Sequence, residues 1–211
     1  FALGVLGIKD VTIAAAIGSL GLAVGLGLQG SLQNFASGLL IVFFRPFKLG
    51  DWIDVDGVGG TVVDIGILYT TMRTANNLKT VVPNSLITTN ALINSSAYPT
   101  RRADLTFVLG YDDDLKRAKE ILLTLVTSKK GVLKEPSPQF HISSFDERGI
   151  TCVLKVWARS EDYWDVYWEL LEEGKEALEK EGIEAEASEL AMVPDNYVKL
   201  EGDAAQTMQH L

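Results

Sequence analysis

The side chains best suited to chemistry are few and scattered. The 211-residue chain has two histidines, His141 and His210, and one cysteine, Cys152. Metal binding needs such groups at a ligand spacing, and covalent catalysis needs a nucleophile beside a base. No zinc spacing, nucleophile-base pair or phosphate loop can be assembled from these three. A lone cysteine excludes an internal disulfide, and within "ITCVLKVWA" it reads as a core position on a strand. The carboxylates Asp112, Asp113 and Asp114 could be drawn as a metal site, but just before a helical pattern they read as a solvated helix start. These residues point to a protein that is not an enzyme and uses no cofactor and no metal.

The elements that position the remaining residues carry more information. Charged residues make up 22% of the chain, yet none falls within residues 11–44. A straight helix over that run would reach about 50 Å at ~1.5 Å per residue, beyond the roughly 30 Å of a hydrocarbon core. Residues 11–28 alone would cover most of that core, and Gln29, Ser31, Gln33, Asn34 and Ser37 sit where such a helix leaves it. The pattern predicts a spanning helix, a break near Gly30 and a second helix along the membrane surface. Two alternatives stand beside it. A secretory signal would start basic and be shorter, whereas Lys9 is followed by Asp10. A core helix of a soluble protein can also be apolar all round.

Glycine spacing argues against the core helix. Each interior glycine costs a helix about 1 kcal/mol relative to alanine, so something must offset that cost. Gly18, Gly21 and Gly25 recur at intervals of three and four and share one helix face, while Ala15, Ser19 and Ala23 share another. Small faces let helices approach closely in lipid, and two of them on one helix suggest a ring. Leu22 and Leu26 lie between the faces, and a ring would point two leucine layers at its axis. Such constrictions can gate a pore by dewetting. Helix packing in any membrane protein is the plainer explanation of the same spacing.

Beyond this head the chain changes texture. Arg45 and Lys48 follow the apolar run at once, which places the body of the protein in the cytoplasm by the positive-inside rule. Pro46 disfavours helix at Arg45 and ends the surface helix. Residues 47–96 are short and alternating, with Val63, Ile65 and Ile67 at period two and turn signals at "DGVGG" and "ANN", as in a small β-barrel-like domain. From Arg102 a strand, a helix opened by acidic residues and closed by Lys129, Lys130 and Gly131, two strands, a second helix and a strand near Ile183 give β-α-β-β-α-β, a ferredoxin-like order. The expected divisions are 1–46, a pore-lining and interfacial helical segment; 47–101, a β domain; 102–190, an α/β domain; and 191–211, a tail.

The stretch "GLAVGLGLQGSLQNFASGLLIVFFRPFKLGDWIDVDGVGGTV", with "TTMRTANN", "VVPNSLI", "LINSS" and "PTRR", resembles the small-conductance mechanosensitive channel family over residues 1 to about 183. The resemblance implies an α plus β membrane protein with a kinked pore-lining transmembrane helix, an Sm-like β domain and a ferredoxin-like vestibule domain, assembled as a ring-shaped homo-oligomer, a heptamer in that family. Leu22 and Leu26 match the leucine rings of the gate. Ala15, Ser19 and Ala23 match its packing knobs, and Gly18, Gly21 and Gly25 match the grooves. Gly30 and Gly38 match hinge glycines, Asn34 a polar hinge position, and Leu28 and Leu32 the apolar contacts that carry force from sensor helices. Gly27 departs from the family's usual alanine and adds a flexible point.

The implied function is a tension-opened ion channel of the bacterial inner membrane that releases ions and small osmolytes in hypoosmotic shock. Its partners are membrane lipid and identical subunits. Two sensor helices would precede Phe1, so the chain reads as a fragment or an incompletely represented protein. The tail lacks the family's proline and aromatic strand, and residues 204–211 are expected to be poorly ordered without a partner chain. An Sm-like ring could also suggest RNA. A net charge of −9 and an isoelectric point near 4.7 argue against nucleic acid, which wants a basic surface. A passive membrane scaffold is the remaining alternative.

Overall fold

The computed structural model describes residues 10–187. His210, the expected tail at 191–211 and the disorder expected over 204–211 lie outside the described residues. The chain divides between Ala97 and Tyr98 into two compact units.

The first unit begins with α1 (Asp10–Phe44), which runs as one helix. The break expected near Gly30 does not occur. Glycine weakens a helix without ending it unless the backbone turns left-handed, and neither Gly30 nor Gly38 has a positive φ. α1 stops instead at Arg45, whose φ is 49° and whose amide donates to the Ile41 carbonyl at 2.9 Å, with Pro46 next in the chain.

There follow β1 (Trp52–Val55), β2 (Val58–Ile65), β3 (Tyr69–Arg73), β4 (Lys79–Pro83), α2 (Asn84–Thr89) and β5 (Leu92–Asn94). The strands pair antiparallel in the order β4-β3-β2-β1-β5. The sheet is therefore open, not the closed barrel its texture suggests, because three-residue β5 pairs only with β1 and α2 separates it from β4. Asp56 and Gly57, both at positive φ, join the paired residues Val55 and Val58 in a two-residue hairpin of the type I′ kind. The period-two stripe Val63, Ile65, Ile67 is not the buried one. Register shifts between Val62 and Asp64, so Val62 is buried while Val63 and Ile67 face out. The core joins Ile41 of α1 to Phe47, Ile53, Val55, Val62 and Met72.

The second unit consists of β6 (Thr100–Leu109), α3 (Leu115–Ser128), β7 (Gln139–Asp146), β8 (Gly149–Arg159), α4 (Tyr163–Lys180) and β9 (Ala185–Ala187). Its antiparallel sheet has the order β7-β8-β6-β9, which is the ferredoxin-like arrangement. Alternate residues of β6 (Ala103, Leu105, Phe107) and β8 (Cys152, Leu154, Val156) are buried, and Ala118, Leu122 and Val126 of α3 join the same core with Val166, Leu170 and Leu178 of α4. Gly174 of α4 admits the Phe107 ring; a Cβ there would lie 2.8 Å from Phe107 Cζ.

Candidate functional site

The chemically versatile side chains do not converge. Cys152 is fully buried in the second unit, and burial pushes its thiol from 9.0 to about 11. His141 is exposed on β7 with Nε2 3.2 Å from Gln139 Oε1. The acidic triplet is spent on chain geometry: Asp113 Oδ2 accepts the Gly110 amide at 2.7 Å, and Asp114 Oδ1 accepts the Lys116 and Arg117 amides at 2.9 and 3.1 Å, capping α3. Among the described residues no group of three or more His, Cys, Asp or Glu is placed to hold a metal.

The remaining candidates lie on α1. Its segment Ala14–Phe44 is long and apolar enough to cross a membrane, and the test window within it has no buried residue. Leu22, Leu26, Leu28 and Leu32 are all more than half exposed. Leu22 and Leu26 share one shallow surface with Gly21, Gly25, Gln29 and Gln33, so the leucine stripe continues into two glutamines one and two turns on. Ala15, Ser19 and Ala23 are exposed as well, and the Ser19 hydroxyl is turned back onto the Ala16 carbonyl at 2.9 Å. A Cβ on Gly18, Gly21, Gly25, Gly27 or Gly30 would meet nothing within 4 Å. No contact inside the chain therefore accounts for five glycines in one helix.

Gly38 has a different environment. A Cβ there would collide with the Ile67 carbonyl oxygen, so this glycine lets α1 approach the β2–β3 connection. Around it the polar residues of α1 are paired. Asn34 Oδ1 accepts the Ser85 amide at 2.9 Å, and Ser37 and Thr88 share a hydroxyl hydrogen bond of 2.7 Å. Asn84, fully buried, accepts from Thr70 Oγ1 at 2.9 Å and donates from Nδ2 to the Gly66 and Ile67 carbonyls at 3.0 Å each. A satisfied buried amide of this kind fixes local geometry, because any rearrangement leaves polar groups unpaired. The last third of α1 is thus bound to α2 and the sheet, while the rest meets no other part of the unit. The sequence signal for this docking was Asn34 and Ser37, three apart on an apolar helix, with the polar run "PNSLITTN"; only Asn34 stood out from sequence.

Residues 30–97 match the family described as mechanosensitive ion channel, beta-domain, and residues 103–185 match mechanosensitive ion channel MscS, C-terminal. A small-conductance mechanosensitive channel of Edwardsiella ictaluri is 40% identical over 163 residues, covering 77% of this chain and 57% of that protein. The crystal structure of Helicobacter pylori MscS in its closed state superposes with a TM-score of 0.81 at 28% identity, covering 92% of this chain and 77% of that one. Arabidopsis thaliana MSL1 gives 0.68 at 25% identity, covering 86% and 68%. The chain spans between 57% and 64% of the length of the first curated relatives it matches. Two contiguous family matches, a shared fold and the glycine-rich α1 lead to one conclusion: the chain belongs to the MscS family of mechanosensitive ion channels.

Proposed function

We propose that this chain is the pore-forming and cytoplasmic part of a tension-gated channel, and that the protein is not an enzyme. The observation that carries the reading is the set of five glycines of α1 whose Cβ positions face open space in the single chain. Their cost is offset when identical helices pack around an axis, with Ala15, Ser19 and Ala23 of one copy against Gly18, Gly21 and Gly25 of the next. Closed rotational symmetry follows for a pore between identical helices, and family membership supports a homo-oligomer, with seven copies as the working number. Leu22 and Leu26 then form the constriction, kept dry when narrow.

Membrane stretch favours the state of larger in-plane area. Force enters through lipid-facing Leu28 and Leu32, the helices slide, and the leucine rings part and wet. Gly30 and Asn34 serve as the bending region, and Gly38 closes it at the docked end. The helical segment 1–46 lines the pore in the bacterial inner membrane. The β domain at 47–101 and the α/β domain at 102–190 stand in the cytoplasm around a vestibule through which ions and small osmolytes leave, and 191–211 follows as a tail.

Patch recording of the full-length protein in a channel-free bacterial membrane under a suction ramp tests this. Stepwise currents above a suction threshold, appearing at lower suction with Leu26→Ser, are expected. Silence from protein present in the membrane overturns tension gating and favours a scaffold.

A further inference from the structure

The second unit carries two exposed apolar patches, and each lies on a flank that the pairing of its helices leaves outermost. The inner flanks are identified by ion pairs between α3 and α4. Lys129 Nζ, at the end of α3, reaches Glu169 at 2.9 Å and Glu173 at 2.6 Å on α4, and Arg117 of α3 reaches Glu181 at 2.8 Å. Helical geometry then places Trp164 and Trp168, four residues apart, on the flank of α4 turned away from α3. They are half exposed, at 50% and 47%. Their rings stack with centroids 6.0 Å apart, and Tyr167 meets Trp168 edge-on at 5.0 Å. Tyr163 beside them lies under the Arg101 guanidinium at 3.8 Å. The patch is therefore rigid before anything covers it.

At the other end of the sheet, β7 is an edge strand over which α3 packs, while α4 packs over β6, β8 and β9. Ile142 and Phe145 of β7 remain exposed. By the same helical geometry Lys116 and Lys119 project from the flank of α3 turned away from α4, the β7 side, and neither forms an ion pair among the described residues. Next to the tryptophans, Asp165 and Glu172 are likewise outside any ion pair. One end of the unit thus presents rings with unpaired carboxylates, and the other presents aliphatic and aromatic side chains with unpaired ammonium groups.

Two different, complementary patches at opposite ends of one unit suit a head-to-tail contact between identical subunits, the kind that closes into a ring. We infer that Trp164 and Trp168 of one copy dock against Ile142 and Phe145 of the next, with Glu172 near Lys116 or Lys119 across the contact. The occupant is a second copy of this chain, and the inference rests on the ring assembly proposed above. Aromatic anchors in a desolvated centre with charges at the rim are the usual anatomy of such a contact.

Cysteine cross-linking of the full-length protein in native membranes tests it, helped by Cys152 being fully buried. Phe145→Cys and Trp168→Cys in the same chain should give, on mild oxidation, a ladder of covalent multimers, and either substitution alone should give none. Ile142→Cys with Trp164→Cys is a second pair should the first fail to assemble. Glu172→Lys should cut the cross-link yield several-fold, and adding Lys119→Glu should recover it. An oligomeric mass in detergent without cross-links, or with both cysteines open to a bulky maleimide, overturns this contact and leaves the ring standing. A monomeric mass overturns both. Dimers from a single cysteine variant would mean a two-fold contact and overturn the head-to-tail arrangement.

Discussion

Asn34 and Ser85 are joined across 51 residues of sequence by a hydrogen bond from the Ser85 amide to Asn34 Oδ1, 2.9 Å long, while Asn34 Nδ2 donates to the Gly30 carbonyl at 2.9 Å. One side chain therefore links a turn of α1 to the first turn of α2. Asn34→Leu removes both bonds and leaves a partly buried amide unpaired, at a cost of about 1–3 kcal/mol. Amide hydrogen exchange should show Ser85 exchanging faster, with β8 amides in the second unit unchanged. Asn34→Asp keeps the acceptor and should keep most of the Ser85 protection.

The glycines of α1 divide into two classes with opposite expected responses to alanine. At Gly30 a methyl group meets open space, so Gly30→Ala should stabilise the helix by up to about 1 kcal/mol. At Gly38 the methyl group meets backbone, which cannot rotate away, and Gly38→Ala should cost about 1–3 kcal/mol. Thermal unfolding of the detergent-solubilised protein reads both, and equal shifts in the same direction would contradict the distinction.

Gly174 offers a parallel case inside the second unit. A Cβ there lies 2.8 Å from Phe107 Cζ and 3.3 Å from Leu122 Cδ2, so Gly174→Ala overpacks the core despite alanine's better helix propensity. The expected net loss is about 1–2 kcal/mol from opposing terms. Adding Phe107→Leu, which withdraws the ring edge, should recover part of it. A double mutant whose loss equals the sum of the single losses would show that the ring contact is not the cause.

Cys152 makes stability fall with alkali. Its thiol is raised by burial from 9.0 to about 11, so the folded chain holds this proton where the unfolded chain has released it. The associated stability is complete below pH 9.0 and is lost as pH rises towards about 11. At about 1.4 kcal/mol per unit, the change is on the order of 2–3 kcal/mol. Denaturation midpoints from pH 8 to 11 should decline more steeply for the native protein than for Cys152→Val. The folded protein should also resist iodoacetamide at pH 8.

Much of the second unit was legible in the sequence, because local signals there agree with tertiary packing. Asp114 precedes a helical stripe and caps it, and "ITCVLKVWA" alternates as it is buried. The first unit was harder to read. A break at Gly30 was inferred from low helix propensity, yet propensity is a weak force beside an unbroken hydrogen-bond ladder, and α1 continues to Phe44. The bulge between Val62 and Asp64 inverted a period-two stripe, since one extra residue exchanges the faces of everything after it. For the candidate site, small-residue spacing identified Gly18, Gly21 and Gly25 without any structure. The docking of Ser37 and Asn84 was not visible, because hydrogen bonds between residues 51 apart leave no periodic trace.

The unequal attachment of α1 makes it a lever with its fulcrum near Asn34. Leu22 lies twelve residues above that point, or about 18 Å along the helix at ~1.5 Å per residue. A tilt of about 10° would sweep Leu22 sideways by roughly 3 Å, more than the thickness of a methyl group. Because the fulcrum is anchored to a sheet, such motion need not disturb the strands. The rigid end sets where rotation starts, and the free end converts a small angle into a change of bore.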